Sequence, residues 1–181
     1  MKVILIPGSG ATPQDHWFPY LEKELSELGI KVINRQFPDF KLARKEYWLP
    51  FIKELGPDEH TILVAHSAGT AAAMKYAEEH KLLGSILVAA LYTDVGDDMM
   101  KQSGYFDSPW NWDTIKNNQQ WIIQFASQDD PYIPIAEAHY IHEKLETEYH
   151  EYSKEGHFGY PKQPKYEFPE LVEALKKRVG K

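Results

Sequence analysis

Serine, aspartate and histidine are the residue types that acyl transfer needs when no cysteine can serve as nucleophile, and this chain has no cysteine. The serine candidate lies in Thr61-Ile62-Leu63-Val64-Ala65-His66-Ser67-Ala68-Gly69, which reads as a strand, a sharp turn and a helix start. The run matches the nucleophile-elbow pattern G-x-S-x-G, with Ala65 in place of the first glycine. Small residues two positions either side of the serine keep a strained turn free of clashes. The helix N-terminus behind it favours developing negative charge. A serine hydroxyl is a weak nucleophile until a base takes its proton, so a histidine and an orienting carboxylate must complete the set. On an elbow the chain order is serine, acid, histidine. Asp130, with Asp129 beside it, comes 63 residues after Ser67, and His157 comes 27 residues after Asp130. Each candidate follows a run that reads as a strand, and open α/β sheets place their sites at strand C-terminal ends.

Acyl transfer also needs backbone N–H groups to receive the oxyanion. Ala68, just after the nucleophile, supplies one. The loop Pro7-Gly8-Ser9-Gly10 after the first strand is placed to supply the other, from Ser9 or from its rival Gly10. The elements that must hold these loops alternate in the manner of an α/β sheet. Strands are predicted at Val3–Ile6, Lys31–Asn34, Thr61–Ala65, Ser85–Ala90, Trp121–Ala126 and Tyr149–Tyr152. Helices are predicted after Asp15 as cap, around Trp48–Leu55, and at Ala68–Glu79, Ile135–Leu145 and Phe168–Arg178. The connection Leu91–Asn118 is too long and aromatic for a plain loop and is expected to form part of a site wall.

Composition narrows the field. With 181 residues, 43% hydrophobic and 26% charged, the chain suits one globular domain, expected to span 1–181. Its net charge of −7 argues against a nucleic-acid or anionic-membrane partner, since both need a basic face. Val3–Ile6 is too short for a signal or membrane segment, so the expectation is a cytoplasmic protein.

Taken together, Ile6-Pro7-Gly8, Asp15-His16-Trp17, Trp48-Leu49-Pro50-Phe51, His66-Ser67-Ala68-Gly69, Ser103-Gly104-Tyr105-Phe106, Pro109-Trp110, Asp129-Asp130-Pro131 and Gly156-His157-Phe158 carry a resemblance that runs nearly end to end. The chain resembles the retinoblastoma-binding-protein-nine and YdeN-type family of small serine hydrolases, within the α/β-hydrolase superfamily. That resemblance implies a three-layer, Rossmann-like α/β-hydrolase fold: a mostly parallel sheet, helices on both faces and no large lid. It implies a Ser67–His157–Asp130 triad, because the family pattern D-x-x-[IV]-P places the acid at Asp130 rather than Asp129. It departs from the vertebrate members at their L-x-C-x-E motif, where this chain reads Leu55-Gly56-Pro57-Asp58-Glu59. With Pro57 in place of that cysteine, a retinoblastoma-type partner is not expected.

The expected function is cleavage of a small-molecule ester, thioester or amide through an acyl-serine intermediate, without cofactor. A binding module that keeps the fold is the alternative. His16, Trp17, Trp110 and Phe158 are candidate pocket residues. His139 and His142 lie three apart on a predicted helix, but no third ligand accompanies them, and no metal is expected. The six-residue glycine fingerprint of dinucleotide sites is absent.

Overall fold

The computed structural model describes residues 1–159 and 164–180. Six strands form one sheet: β1 (Lys2–Ile6), β2 (Lys31–Asn34), β3 (Thr61–His66), β4 (Gly84–Val88), β5 (Trp121–Ser127) and β6 (Glu148–Tyr152). Their order is β2-β1-β3-β4-β5-β6, and every neighbouring pair is parallel, so the sheet is parallel throughout rather than mostly. The chain starts at β1, grows outward to β2, then crosses to β3 and continues the other way. That reversal leaves a crevice beyond the C-terminal ends of β1 and β3, where open α/β sheets bind ligands.

The two-residue period of a strand divides the core. Ile4, Ile6, Leu63 and Ala65 face one layer, built by α2 (Lys45–Glu54), α3 (Ala68–Ala77), α5 (Trp112–Asn117) and α6 (Ile135–Leu145). Val3, Leu5, Ile62 and Val64 face the other, built by α1 (Phe18–Glu27) and α7 (Pro169–Val179). Helix α3 is buried along its whole length, and its alanines allow that close approach to the sheet.

Asp15 does not cap α1. The helix starts at Phe18 without a side-chain cap, and the Asp15 carboxylate instead accepts the N–H and hydroxyl of Thr12, closing a turn. The predicted strand Ser85–Ala90 ends at Val88, because Ala89 takes a left-handed φ of 51° that leaves the ladder. Within the long connection a short helix, α4 (Asp98–Gln102), forms where none was predicted; the Asp97 carboxylate caps it through the N–H groups of Met99 and Met100. No helix among the described residues is long and apolar enough to cross a membrane.

Candidate active site

Ser67 joins β3 to α3 with φ 53° and ψ −125°, a conformation that an L-residue adopts only when its surroundings impose it. The imposition is visible. The Ser67 N–H donates to Val88 O on β4 (2.9 Å), and the Ser67 carbonyl accepts the N–H and hydroxyl of Thr70 (2.8 and 2.7 Å). Gly69 is obligatory, since a Cβ there would stand 2.4 Å from Pro7 O and 2.7 Å from Ile6 O. The elbow therefore fits against the end of β1 only with glycine at its second small position. Ala65, at the first, lies in the strand ladder opposite Leu87, where its methyl is part of the core.

The candidate acid and base come from the turns after β5 and β6. Nδ1 of His157 lies 2.7 Å from Oδ2 of Asp130, and both side chains are almost fully buried. The other Asp130 oxygen accepts the N–H groups of Tyr132 and Ile133. Its neighbour Asp129 faces elsewhere, accepting the Ser127 hydroxyl (2.7 Å) and the Gly156 N–H (2.8 Å). Those bonds hold the Asp129 carboxyl below the ordinary aspartate range, the Ser127 hydroxyl contributing most. The Ser127 hydroxyl oxygen accepts the Glu155 N–H in turn. Asp129 thus ties the acid turn to the base turn, while Asp130 meets the imidazole. Ser67 and His157 share one cavity of about 380 Å³.

A model of the serine hydrolase family matches residues 3–176. The chain belongs to the serine hydrolase family. The rat serine hydrolase RBBP9 is 38% identical to it over 179 residues, spanning 97% of this chain and 94% of the rat protein. The crystal structure of the ydeN gene product of Bacillus subtilis matches with a TM-score of 0.91 and 25% identity, over 99% of each chain. The mouse α/β hydrolase domain-containing protein 10 matches at 0.75 and 13% identity, over 99% of this chain and 89% of that one, a likeness of fold. Among the described residues the architecture is that of an α/β-hydrolase without a large lid.

The cavity of this serine hydrolase has a candidate catalytic side and an apolar side. Gly8, Ser9, His16, His66, Ser67 and His157 form the first. Val95, Met99, Met100, Tyr132 and Ile133 dominate the second, with Asp97 among them. Of the four pocket residues expected from sequence, only His16 lines the cavity. Trp17 and Phe158 are fully buried in the layer of α1 and α7, where Trp17 packs edge-on against Phe18 and Phe168. Trp110 lies away from the cavity, under the Lys75 ammonium and beside Trp112. Its indole N–H donates to Tyr92 O. Rings that large were drawn into the core and the far side of the connection. What lines the cavity instead is the turn Val95–Met100.

Two glycine loops complete the candidate catalytic side. A Cβ on Gly8 would stand 3.1 Å from Ser67 Cβ, so this loop passes directly over Ser67. The Gly10 N–H is committed to Phe40 O at 2.7 Å. His16 takes a left-handed φ of 55° and packs on Gly159, where a Cβ would stand 2.8 Å from its Nδ1. Burial lowers the His16 pKa below the ordinary histidine value, against the nearby Asp15 charge, which raises it. Among the described residues no cluster of His, Asp and Glu is arranged to hold a metal ion. His139 instead meets Glu151, and His142 meets Thr147 and stacks on Tyr149.

Proposed function

We propose that Ser67, His157 and Asp130 act as nucleophile, base and orienting acid in cleaving an ester, thioester or amide of a small substrate. The observation that carries this reading is the buried His157–Asp130 bond of 2.7 Å, beside a serine held in the strained elbow conformation of the same cavity. With Nδ1–H donated to Asp130, the lone pair of the His157 ring lies on Nε2, the atom that acts as base. As the Ser67 oxygen attacks the substrate carbonyl, His157 takes its proton, and Asp130 stabilises the imidazolium that results. The tetrahedral oxyanion accepts the N–H groups of Ala68 and Ser9. Ala68 opens α3, so its N–H has no partner within the helix. The commitment of Gly10 to Phe40 favours Ser9 as the second donor.

Collapse of the intermediate expels the leaving group with the proton from His157 and leaves acyl-Ser67. Water, deprotonated by the same imidazole, then releases the acid and regenerates the serine. The cavity is near the small end of the roughly 300–1,000 Å³ typical of ligand sites, which suits a compact substrate. Its wall of Val95, Met99, Met100 and Ile133 suits an apolar acyl or leaving group. Among the described residues no lysine or arginine lines it to receive a carboxylate or phosphate.

Labelling with a fluorophosphonate probe tests the reading. The native protein should label, and folded Ser67→Ala and His157→Ala variants should not. Hydrolysis of short p-nitrophenyl esters should fall by about 10⁴-fold or more in both variants. Equal turnover by folded Ser67→Ala would end the proposal and leave the binding-module alternative.

A further inference from the structure

The residue before the nucleophile is a fully buried histidine that the mechanism above does not use. His66 ends β3, and its Nε2 lies 2.9 Å from the backbone carbonyl of His157. A carbonyl oxygen only accepts, so Nε2 carries the hydrogen. The groups that face the ring are His16 at 5.5 Å, Trp17 at 6.1 Å and His157 at 4.8 Å between centroids, with Gly8 beside Nδ1. None of them is an acid. Burial, reinforced by the two neighbouring histidines, holds the His66 pKa far below the ordinary value, so the ring is neutral. Its Nδ1 is then a bare acceptor, buried and without a hydrogen-bond partner among the described residues.

An acceptor buried in that way lowers the stability of the fold. An apolar side chain of similar volume would fill the site without that orphan but would leave the His157 carbonyl without its donor, so packing alone does not account for an imidazole here. What the imidazole supplies, and an apolar side chain cannot, is the N–H to His157. We propose that His66 is a positioning residue that clamps the base to the strand carrying the nucleophile, through its ring N–H and the His157 carbonyl.

The surroundings of His157 show why a clamp has work to do. Gly156 and Phe158, on either side, both have left-handed φ values of 53° and 54°, so the backbone changes direction sharply through the base. One backbone group of each of these three residues is tied to another element. The Gly156 N–H goes to Asp129, the His157 carbonyl to His66, and the Phe158 carbonyl to the Trp17 indole N–H at 3.0 Å. Because residues 66 and 67 are adjacent, the His66 bond fixes base and nucleophile directly against one another. The other two bonds fix the base only against its periphery. In acyl transfer an error of about 1 Å in such a placement costs on the order of 100-fold in rate.

The proposal rests on the triad reading, and the experiment separates the two. Four variants are compared with the native protein by ester kinetics and thermal melting: Ser67→Ala, His66→Met, His66→Phe and His66→Gln. Loss of the clamp in the Met and Phe variants should lower kcat by roughly 10- to 100-fold while KM changes by less than about 2-fold. Their melting temperatures should stay within about 3 °C of the native value, because the unpaired Nδ1 is removed while the His157 carbonyl loses its donor. His66→Gln, whose amide N–H can reach the same carbonyl, should recover most of kcat. Apolar variants with native kcat would overturn the clamp. So would apolar variants that lose activity only in step with stability, or that fail to fold, since His66 would then be a packing residue. An active Ser67→Ala protein would instead overturn the triad reading, and the clamp with it.

Discussion

The two sides of the cavity are built by different means. On the candidate catalytic side, Ser67, Asp130 and His157 stand within a few residues of the ends of β3, β5 and β6, so the parallel ladder itself sets their spacing. On the apolar side, Val95–Met100 belongs to a connection with no strand to hold it. Side chains do the holding. Glu137, buried on α6, accepts the N–H of Tyr92 (2.7 Å) and both the N–H and hydroxyl of Thr93 (3.0 and 2.6 Å). The Thr93 hydroxyl oxygen then accepts the Val95 N–H, Asp94 accepts the Gly96 N–H, and Asp97 caps α4. A sheet cannot be adjusted one residue at a time, whereas this chain of side-chain bonds can. On the proposed reading, the rigid side carries the chemistry and the adjustable one the selectivity.

The largest effects should come from the ladder-built side, and the paired acids sharpen the point. Asp130→Asn keeps the shape but removes the carboxylate that sets the His157 tautomer, and kcat should fall by about 10⁴-fold. Asp129→Asn leaves His157 with its partner and weakens only the bonds to Ser127 and Gly156. Its kcat should fall by roughly 10- to 100-fold, the scale of a displaced rather than missing group. Steady-state kinetics of both variants on one ester decides between them. A larger loss in Asp129→Asn would exchange the roles of the two acids.

The same contrast governs what could be read from the chain before its structure was known. Strand and helix runs stood within one or two residues of their observed limits for β1, β2, β3 and α6, because apolar period and Gly or Pro stops are local signals. The seryl elbow and its candidate partners were legible for the same reason, each carried by a few adjacent residues. The apolar wall was not. Its root bond joins Tyr92 to Glu137 across 45 residues, and the His66 bond joins residues 91 apart, so no local pattern announces either. One local signal was present but unused: Asp97 two residues before Met99-Met100 is a helix-cap pattern, and it marks α4. Ring identity does not choose between pocket and core. Trp110 and Trp17 fit either role from sequence alone. Buried area favours rings in a core first, and Met99 and Val95 line the cavity instead.

Glu137→Gln puts the adjustable side to the test. An amide offers one accepting oxygen where the carboxylate offers two, so one of the Tyr92 and Thr93 donors loses its partner and the wall loosens. For an acetyl ester, which barely reaches the wall, kcat/KM should stay within about 2-fold of native. For an octanoyl ester KM should rise by roughly 10-fold, the effect of losing about one well-packed methylene or two of contact. The profile against chain length separates the outcomes. A uniform fall across all esters would make Glu137 a support of the whole site and erase the division between the two sides.

The smallest expected effect lies at the outer edge of the rigid side. On β6, Glu151 accepts from His139 (2.6 Å), Gln128 (2.6 Å) and the Tyr149 hydroxyl (2.7 Å), so it joins the edge strand to the acid turn and to α6. Those donors, Gln128 first, lower its pKa from the ordinary glutamate value of 4.5 to about 2. A carboxylate whose pKa is depressed by folding stabilises the native state fully above the unfolded value, and the contribution fades as pH falls through the folded value. Glu151→Gln should therefore lower Tm by about 1–3 °C at pH 7, a modest figure because the network is partly exposed. The gap between variant and native should narrow steadily below pH 4.5 and approach zero near pH 2. A gap that stays constant across that interval would mean the carboxylate charge contributes nothing at this edge. The acid turn would then be held by Asp129 and the β5–β6 ladder alone.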